Sequence, residues 1–147
     1  MHPENREFIT SSLINYSQYI FEATRGSQFL YNWHHGLICD HLERVLCGLT
    51  KRLIINIPPR FSKTQLAVID FTAWALGHYP DSEFIHASYA ATLASNNSYQ
   101  IRNIIQHEAY RAVFPDLQLA GDSKARHWWR TAQGGAFYAA GAGGTIT

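Results

Sequence analysis

From Trp33 to Leu49 the apolar positions fall at Leu37, Ile38, Leu42, Val45, Leu46 and Leu49, the spacing of a helix with one buried face. Lys51 and Arg52 follow, a pair suited to a helix C-terminus. Leu53 to Ile57 is apolar apart from Asn56 and predicts a strand covered on both faces. After Thr64, the positions Leu66, Ala67, Ile69, Ala73 and Trp74 continue a helix that Gly77 can stop. Phe84 to Tyr89 reads as a second strand, and Leu93 to Gln106 as a helix with Leu93, Ile101, Ile104 and Ile105 inward. Glu108 to Phe114 is a short piece ended by Pro115. His127 to Thr131, a turn at Ala132 to Gly135, and Ala136 to Ala140 predict a C-terminal β-hairpin. Phe8 to Phe21 has a weaker helical pattern, so residues 1–28 are expected to be a leader segment outside the domain formed by residues 29–147. Strand, helix, strand, helix at this spacing predicts an α/β fold, with a parallel sheet flanked by helices.

The 147 residues suffice for one core. A net charge of +1 provides no global field for non-specific nucleic-acid binding. Arg102, Arg111, Lys124, Arg126 and Arg130 are either a local basic face or scattered solvated cations. Cys39 and Cys47 lie in one predicted helix about 12 Å apart along its axis, too far for a disulfide. Two reduced thiols in a cytosolic protein are expected. No apolar run is long enough to span a bilayer. His34, His35 and His41 have no carboxylate or thiol partner at metal-ligand spacing.

The chemistry centres on Pro58-Pro59-Arg60-Phe61-Ser62-Lys63-Thr64-Gln65, which follows the apolar strand and opens a helix. A strand, a tight loop and Lys-Thr at a helix start is the layout of a phosphate-binding loop. Backbone N–H groups and the helix N-terminus hold the anion, the lysine reaches the β/γ-phosphates, and the hydroxyl binds Mg²⁺. The usual pattern has glycine where this chain has Ile57 and Ser62. Glycine suits such loops because it tolerates unusual φ and close approach of the backbone. Taken alone, the string fits a phosphate loop or a plain strand, Pro-Pro turn and helix.

A longer ordered set narrows the reading. Trp33-His34 opens a helix. Lys51 to Arg60 runs into Ser62-Lys63-Thr64, and Ala87-Ser88-Tyr89 follows. Tyr110 to Pro115, Gly134 to Gly141, and Gly143-Gly144-Thr145-Ile146-Thr147 complete the series. Together these resemble the N-terminal part of the ATPase domain of large terminase subunits, the DNA-packaging motors of tailed phages and prophages. In that family the phosphate loop is irregular and often begins Pro-Pro-Arg. The resemblance implies a P-loop NTPase-type fold with ATP and Mg²⁺ as ligands, bound by Pro59, Arg60, Phe61, Ser62, Lys63, Thr64 and Gln65. Lys63 would take the β/γ-phosphates and Thr64 the Mg²⁺. Arg60 is a γ-phosphate contact, an arginine finger in cis, or a solvated loop residue. Trp33 and His34 resemble the segment that contacts adenine, with packing on the core as the other reading of Trp33. Ser88 and Tyr89 end a strand, where open α/β sheets bind ligands, although packing is the expectation for Tyr89.

In the family the chain continues into an acidic Walker B strand, a coupling motif and a nuclease domain. Here Asp70, Asp81 and Glu83 form no acidic pair behind an apolar strand. The expectation is an incomplete ATP-binding piece with little or no hydrolysis alone, from a truncated gene or one half of a split one. Expected partners are double-stranded phage DNA, a small terminase subunit, a portal, and a second chain carrying the missing ATPase half. The bacterial host cytoplasm is the expected compartment. The alternatives are a non-catalytic prophage remnant and an α/β interaction module without nucleotide binding.

Overall fold

A computed structural model describes residues 1–122 and 125–143. Its N-terminal third is helical. Helix α1 (Pro3–Thr10) starts on a proline, which fits a first turn, where no N–H is needed. Helix α2 (Leu13–Arg25) is capped by Ser12, whose Oγ accepts the Asn15 N–H at 3.3 Å, and is closed by Gly26 at φ 64°. These helices are not an outer leader. Leu13, Tyr16 and Ile20 are core residues, and Tyr16 meets Tyr110 edge-on with centroids 6.3 Å apart. The apolar pattern understated α2 because Ser17, polar in any pattern, is fully buried beside Tyr16. Side-chain bonds fix α1 to the rest: Arg6 Nε donates to the Val113 carbonyl at 2.8 Å, and Trp74 Nε1 and His78 Nε2 both bond the Thr10 carbonyl at 3.0 Å.

Helix α3 (Trp33–Leu46) is the predicted amphipathic helix, slightly shorter at its end, where Gly48 turns at φ 74°. Its start is a reciprocal cap. Asn32 Oδ1 accepts the Trp33 N–H at 2.8 Å, and His35 Nδ1 accepts the Asn32 N–H at 3.0 Å.

Leu53–Ile57 departs from expectation. The segment forms no regular element, and no strand among the described residues pairs with it, although its β-branched run and Pro58 favour an extended backbone. Leu53, Ile55 and Ile57 pack against the core, whereas Ile54 is 84% exposed. One face is therefore covered, not two.

Past the loop, a π-helical segment (Gln65–Asp70) runs into α4 (Phe71–His78). Strand β1 (Glu83–Ser88) leads to α5 (Ala91–Gln106) and α6 (Glu108–Val113), and the hairpin is β2 (Trp128–Arg130) with β3 (Ala136–Gly141). The sheet order is β1-β3-β2. β1 and β3 are parallel, from Glu83 opposite Ala136 to Ser88 opposite Gly141, while β2 and β3 are antiparallel. The fold is thus α/β, with six α-helices and a small mixed sheet among the described residues.

Helix α5 lies on the sheet, and Trp129 Nε1 donates to Ser98 Oγ at 3.0 Å while its ring stacks on Phe137 at 5.3 Å. Gly141 lets α5 approach, since a Cβ there would come within 2.6 Å of the Ala91 nitrogen. Among the described residues no helix is long and apolar enough to cross a membrane. Lys124 of the expected basic face and the run Gly144 to Thr147 lie outside the described residues.

Candidate functional site

The loop between Ile57 and Gln65 has an unusual backbone. Arg60 has φ 67° and Ser62 φ 64°, the positive-φ non-glycine residues of the described chain. A left-handed conformation costs an L-residue on the order of 1 kcal/mol, so two in three residues is a concentrated local strain. Left-handed residues alternating with right-handed ones form a nest, in which successive N–H groups converge on one point and bind an anion. Ser62 therefore adopts the conformation for which a glycine would be chosen.

The helix begins immediately afterwards. The Leu66 N–H donates to the Ser62 carbonyl at 2.9 Å, so the Lys63, Thr64 and Gln65 N–H groups form the first turn, which has no acceptor of its own within the helix. Lys63, Thr64, Pro59 and Arg60 are exposed, whereas Ser62 and Gln65 are half-buried. Arg60, Ser62, Lys63, Thr64 and Gln65 line a concavity of about 510 Å³.

A second concavity of about 590 Å³ adjoins the first, and both are lined by Ile57 and Pro58. Trp33, His34, Leu37 and Phe61 are among its walls. Trp33 is 70% exposed, which overturns the reading that it packs on the core. His34 stands edge-on to Phe61, with centroids 5.6 Å apart, and its buried Nε2 has no hydrogen-bond partner. The fold thus brings Trp33 and His34, far away in sequence, against the loop. Arg60, Lys63 and the hydroxyl-bearing residues Ser62 and Thr64 line one hollow, while an apolar, aromatic wall lines the other. That pairing suits a ligand with an anionic end and a flat ring.

Mg²⁺ would enter with the phosphates. Among the described residues no three His, Cys, Asp or Glu side chains gather as a metal site, and the Thr64 hydroxyl is an exposed oxygen at the head of the helix. Ser88 ends β1 away from any bond to this loop, and Tyr89 is 84% exposed, against the expectation that it packs. Arg102 and Arg126 gather around Tyr99, with guanidinium carbons 5.7 and 4.6 Å from its ring centroid.

Asp70, read from the sequence only as no part of an acidic pair, and Arg25 lie behind the loop. Asp70 is fully buried, and Gln65 Nε2 donates to its Oδ1 at 2.7 Å. Arg25 Nη2 donates to Gln65 Oε1 at 3.0 Å. Burial pushes the Asp70 carboxyl up to about 7, against the opposing pulls of Gln65, Ser17 and Arg25. The available signal was a lone acid in the apolar run from Leu66 to Leu76.

No family model, curated protein or solved structure matches the chain.

Proposed function

We propose that the loop from Pro58 to Gln65 binds the phosphates of ATP with Mg²⁺, and that the chain is the N-terminal part of a terminase-like packaging ATPase. The observation that carries this reading is the pair of positive φ angles at Arg60 and Ser62, directly before Lys63-Thr64 at a helix start. Some tight turns also use positive φ, but two such non-glycine residues flanking Phe61 directly before Lys63-Thr64 suit an anion site.

Lys63 takes the β/γ-phosphates, Thr64 the Mg²⁺, and Arg60 sits where it can reach the terminal phosphate. Trp33, His34 and Phe61 provide the ring-binding wall. Phosphoryl transfer to water also needs a carboxylate or amide that orients the water. Asp70, the acid tied to this loop, is sealed in the core, so the chain alone binds nucleotide with little or no turnover. Double-stranded DNA, a small subunit, a portal and a second chain bearing the acidic strand are the partners in this reading, in a bacterial host cytoplasm.

A second reading is an α/β interaction module without nucleotide binding. It is favoured by the exposed apolar side chains of Trp33, Leu37 and Ile54 beside the unpaired segment. Calorimetry with Mg-ATP separates the two. Binding by the wild type that Lys63→Ala abolishes is expected. No binding by a chain shown to be folded would overturn the nucleotide reading in favour of the module.

A further inference from the structure

We infer that Asp70, Gln65 and Arg25 are positioning residues of the loop: the buried carboxyl holds the Gln65 side chain, and through it the π-helical winding that orients Lys63 and Thr64. The inference rests on the phosphate reading above and adds Asp70 and Arg25 to it.

The winding itself is the first observation. In an α-helix, residues five apart point about 140° away from each other. A π-ladder bonds residue i to i+5 and returns them to one side of the helix. Gln65 and Asp70 are the first and last residues of the π-helical segment, and the 2.7 Å bond between their side chains spans that interval. The side-chain bond and the backbone winding therefore require each other. Should the segment tighten to α-helix, Lys63 and Thr64 would rotate relative to α4, and the Thr64 hydroxyl would leave the loop's concavity.

The second observation is what surrounds the carboxyl. Tyr16 and Ser17 face Asp70 from α2, Arg25 from the end of α2, and Cys39 from α3. The Asp70 Oδ2 and the Tyr16 hydroxyl are buried without a well-formed hydrogen bond, and the Ser17 hydroxyl lies near enough to favour the charged carboxylate without completing one. A fully buried acid with one oxygen unsatisfied is costly, and a packed apolar side chain would serve the core better. What the acid retains is the bond to Gln65. Arg25 closes the relay from outside, with its guanidinium also over the Phe21 ring at 5.1 Å. Ionisation of the carboxyl strengthens the Gln65 bond, because charged acceptors bind hydrogen more tightly. The loop should therefore report the protonation of a group inside the core.

Amide NMR of the free full-length chain, titrated across neutral pH, tests this without nucleotide. The Lys63, Thr64 and Gln65 amides should shift with a midpoint of about 7. Asp70→Asn, which still accepts from Gln65 Nε2, should remove that titration and leave the amides dispersed. Gln65→Leu, at a half-buried position that spares the core, should also remove it. Loop amides that do not titrate, or that titrate unchanged in Asp70→Asn, would overturn the relay. In parallel, Gln65→Leu should weaken Mg-ATP binding about tenfold, with Asp70→Asn close to wild type. Undiminished binding by Gln65→Leu would overturn the positioning role. Absence of Mg-ATP binding by the wild type would count against the phosphate reading, and the amide titration would still decide the relay.

Discussion

The imidazole of His34 stands edge-on to the ring of Phe61, at 67° and 5.6 Å between centroids. This contact joins the start of α3 to the crest of the loop and makes one site of two distant segments. Edge-to-face pairs of this kind contribute about 0.5–1.5 kcal/mol. Phe61→Ala should therefore weaken Mg-ATP binding by roughly threefold to tenfold. Phe61 is 47% exposed, so thermal stability should change little. Calorimetry and a melting curve on the same variant check both halves.

Ser62 bears a left-handed backbone that glycine adopts without steric cost. Ser62→Gly should leave the fold stable to within about 1 kcal/mol, because relief of strain offsets the added freedom of the unfolded chain. Ser62→Val should destabilise, since a β-branched side chain fits this region poorly. If the loop is an anion nest, the glycine variant binds Mg-ATP at least as tightly as wild type and the valine variant loses binding. Urea titration beside calorimetry would show this.

Asp70 gives stability a definite slope with pH. Its carboxyl is raised by burial to about 7, from an ordinary 3.8. Between those values the folded chain holds a proton that the unfolded chain has released. The contribution is therefore greatest below about pH 4 and falls as pH rises through 7, by no more than roughly 4 kcal/mol. The urea midpoint should drop from pH 5 to pH 8 in wild type, and the drop should be smaller in Asp70→Asn. A midpoint that rises over this interval would contradict the burial assigned to the carboxyl.

Ile54 lies outward on a segment with which no strand among the described residues pairs. Open strand edges with apolar side chains template pairing with other chains. Ile54→Lys should reduce concentration-dependent self-association, measured by light scattering. The urea midpoint should move by less than about 0.5 kcal/mol, as is usual for exposed positions.

Much of this was legible from local pattern. The apolar periodicity located α3 and α5, and the Gly134-Gly135 turn located the hairpin. Lys63-Thr64 after an apolar run marked where to look. Other features depend on information that a local window lacks. Whether Leu53–Ile57 finds a neighbour depends on strands elsewhere in the chain, so its composition could indicate extension but not pairing. Ser17 concealed part of the burial of α2, because a hydroxyl counts as polar in any pattern although the side chain packs. The strain at Arg60 and Ser62 carries no glycine to announce it. Asp70 was visible as a lone acid among apolar neighbours, a feature that indicates a buried titratable group more often than an acidic pair.

The parallel ladder between β1 and β3 joins Glu83 to Ala136, with α5, α6 and β2 intervening in the chain. Its entropy of loop closure must be met before any sheet hydrogen bond forms, whereas contacts between α1 and α2 are local. Assembly should therefore run in two stages. Helical signal appears first, and the stacking of Trp129 on Phe137, a fluorescent marker of the finished sheet, comes last. During that interval α5 has its inner face uncovered, so the speed of sheet closure, more than final stability, decides how much newly made chain survives to its native form.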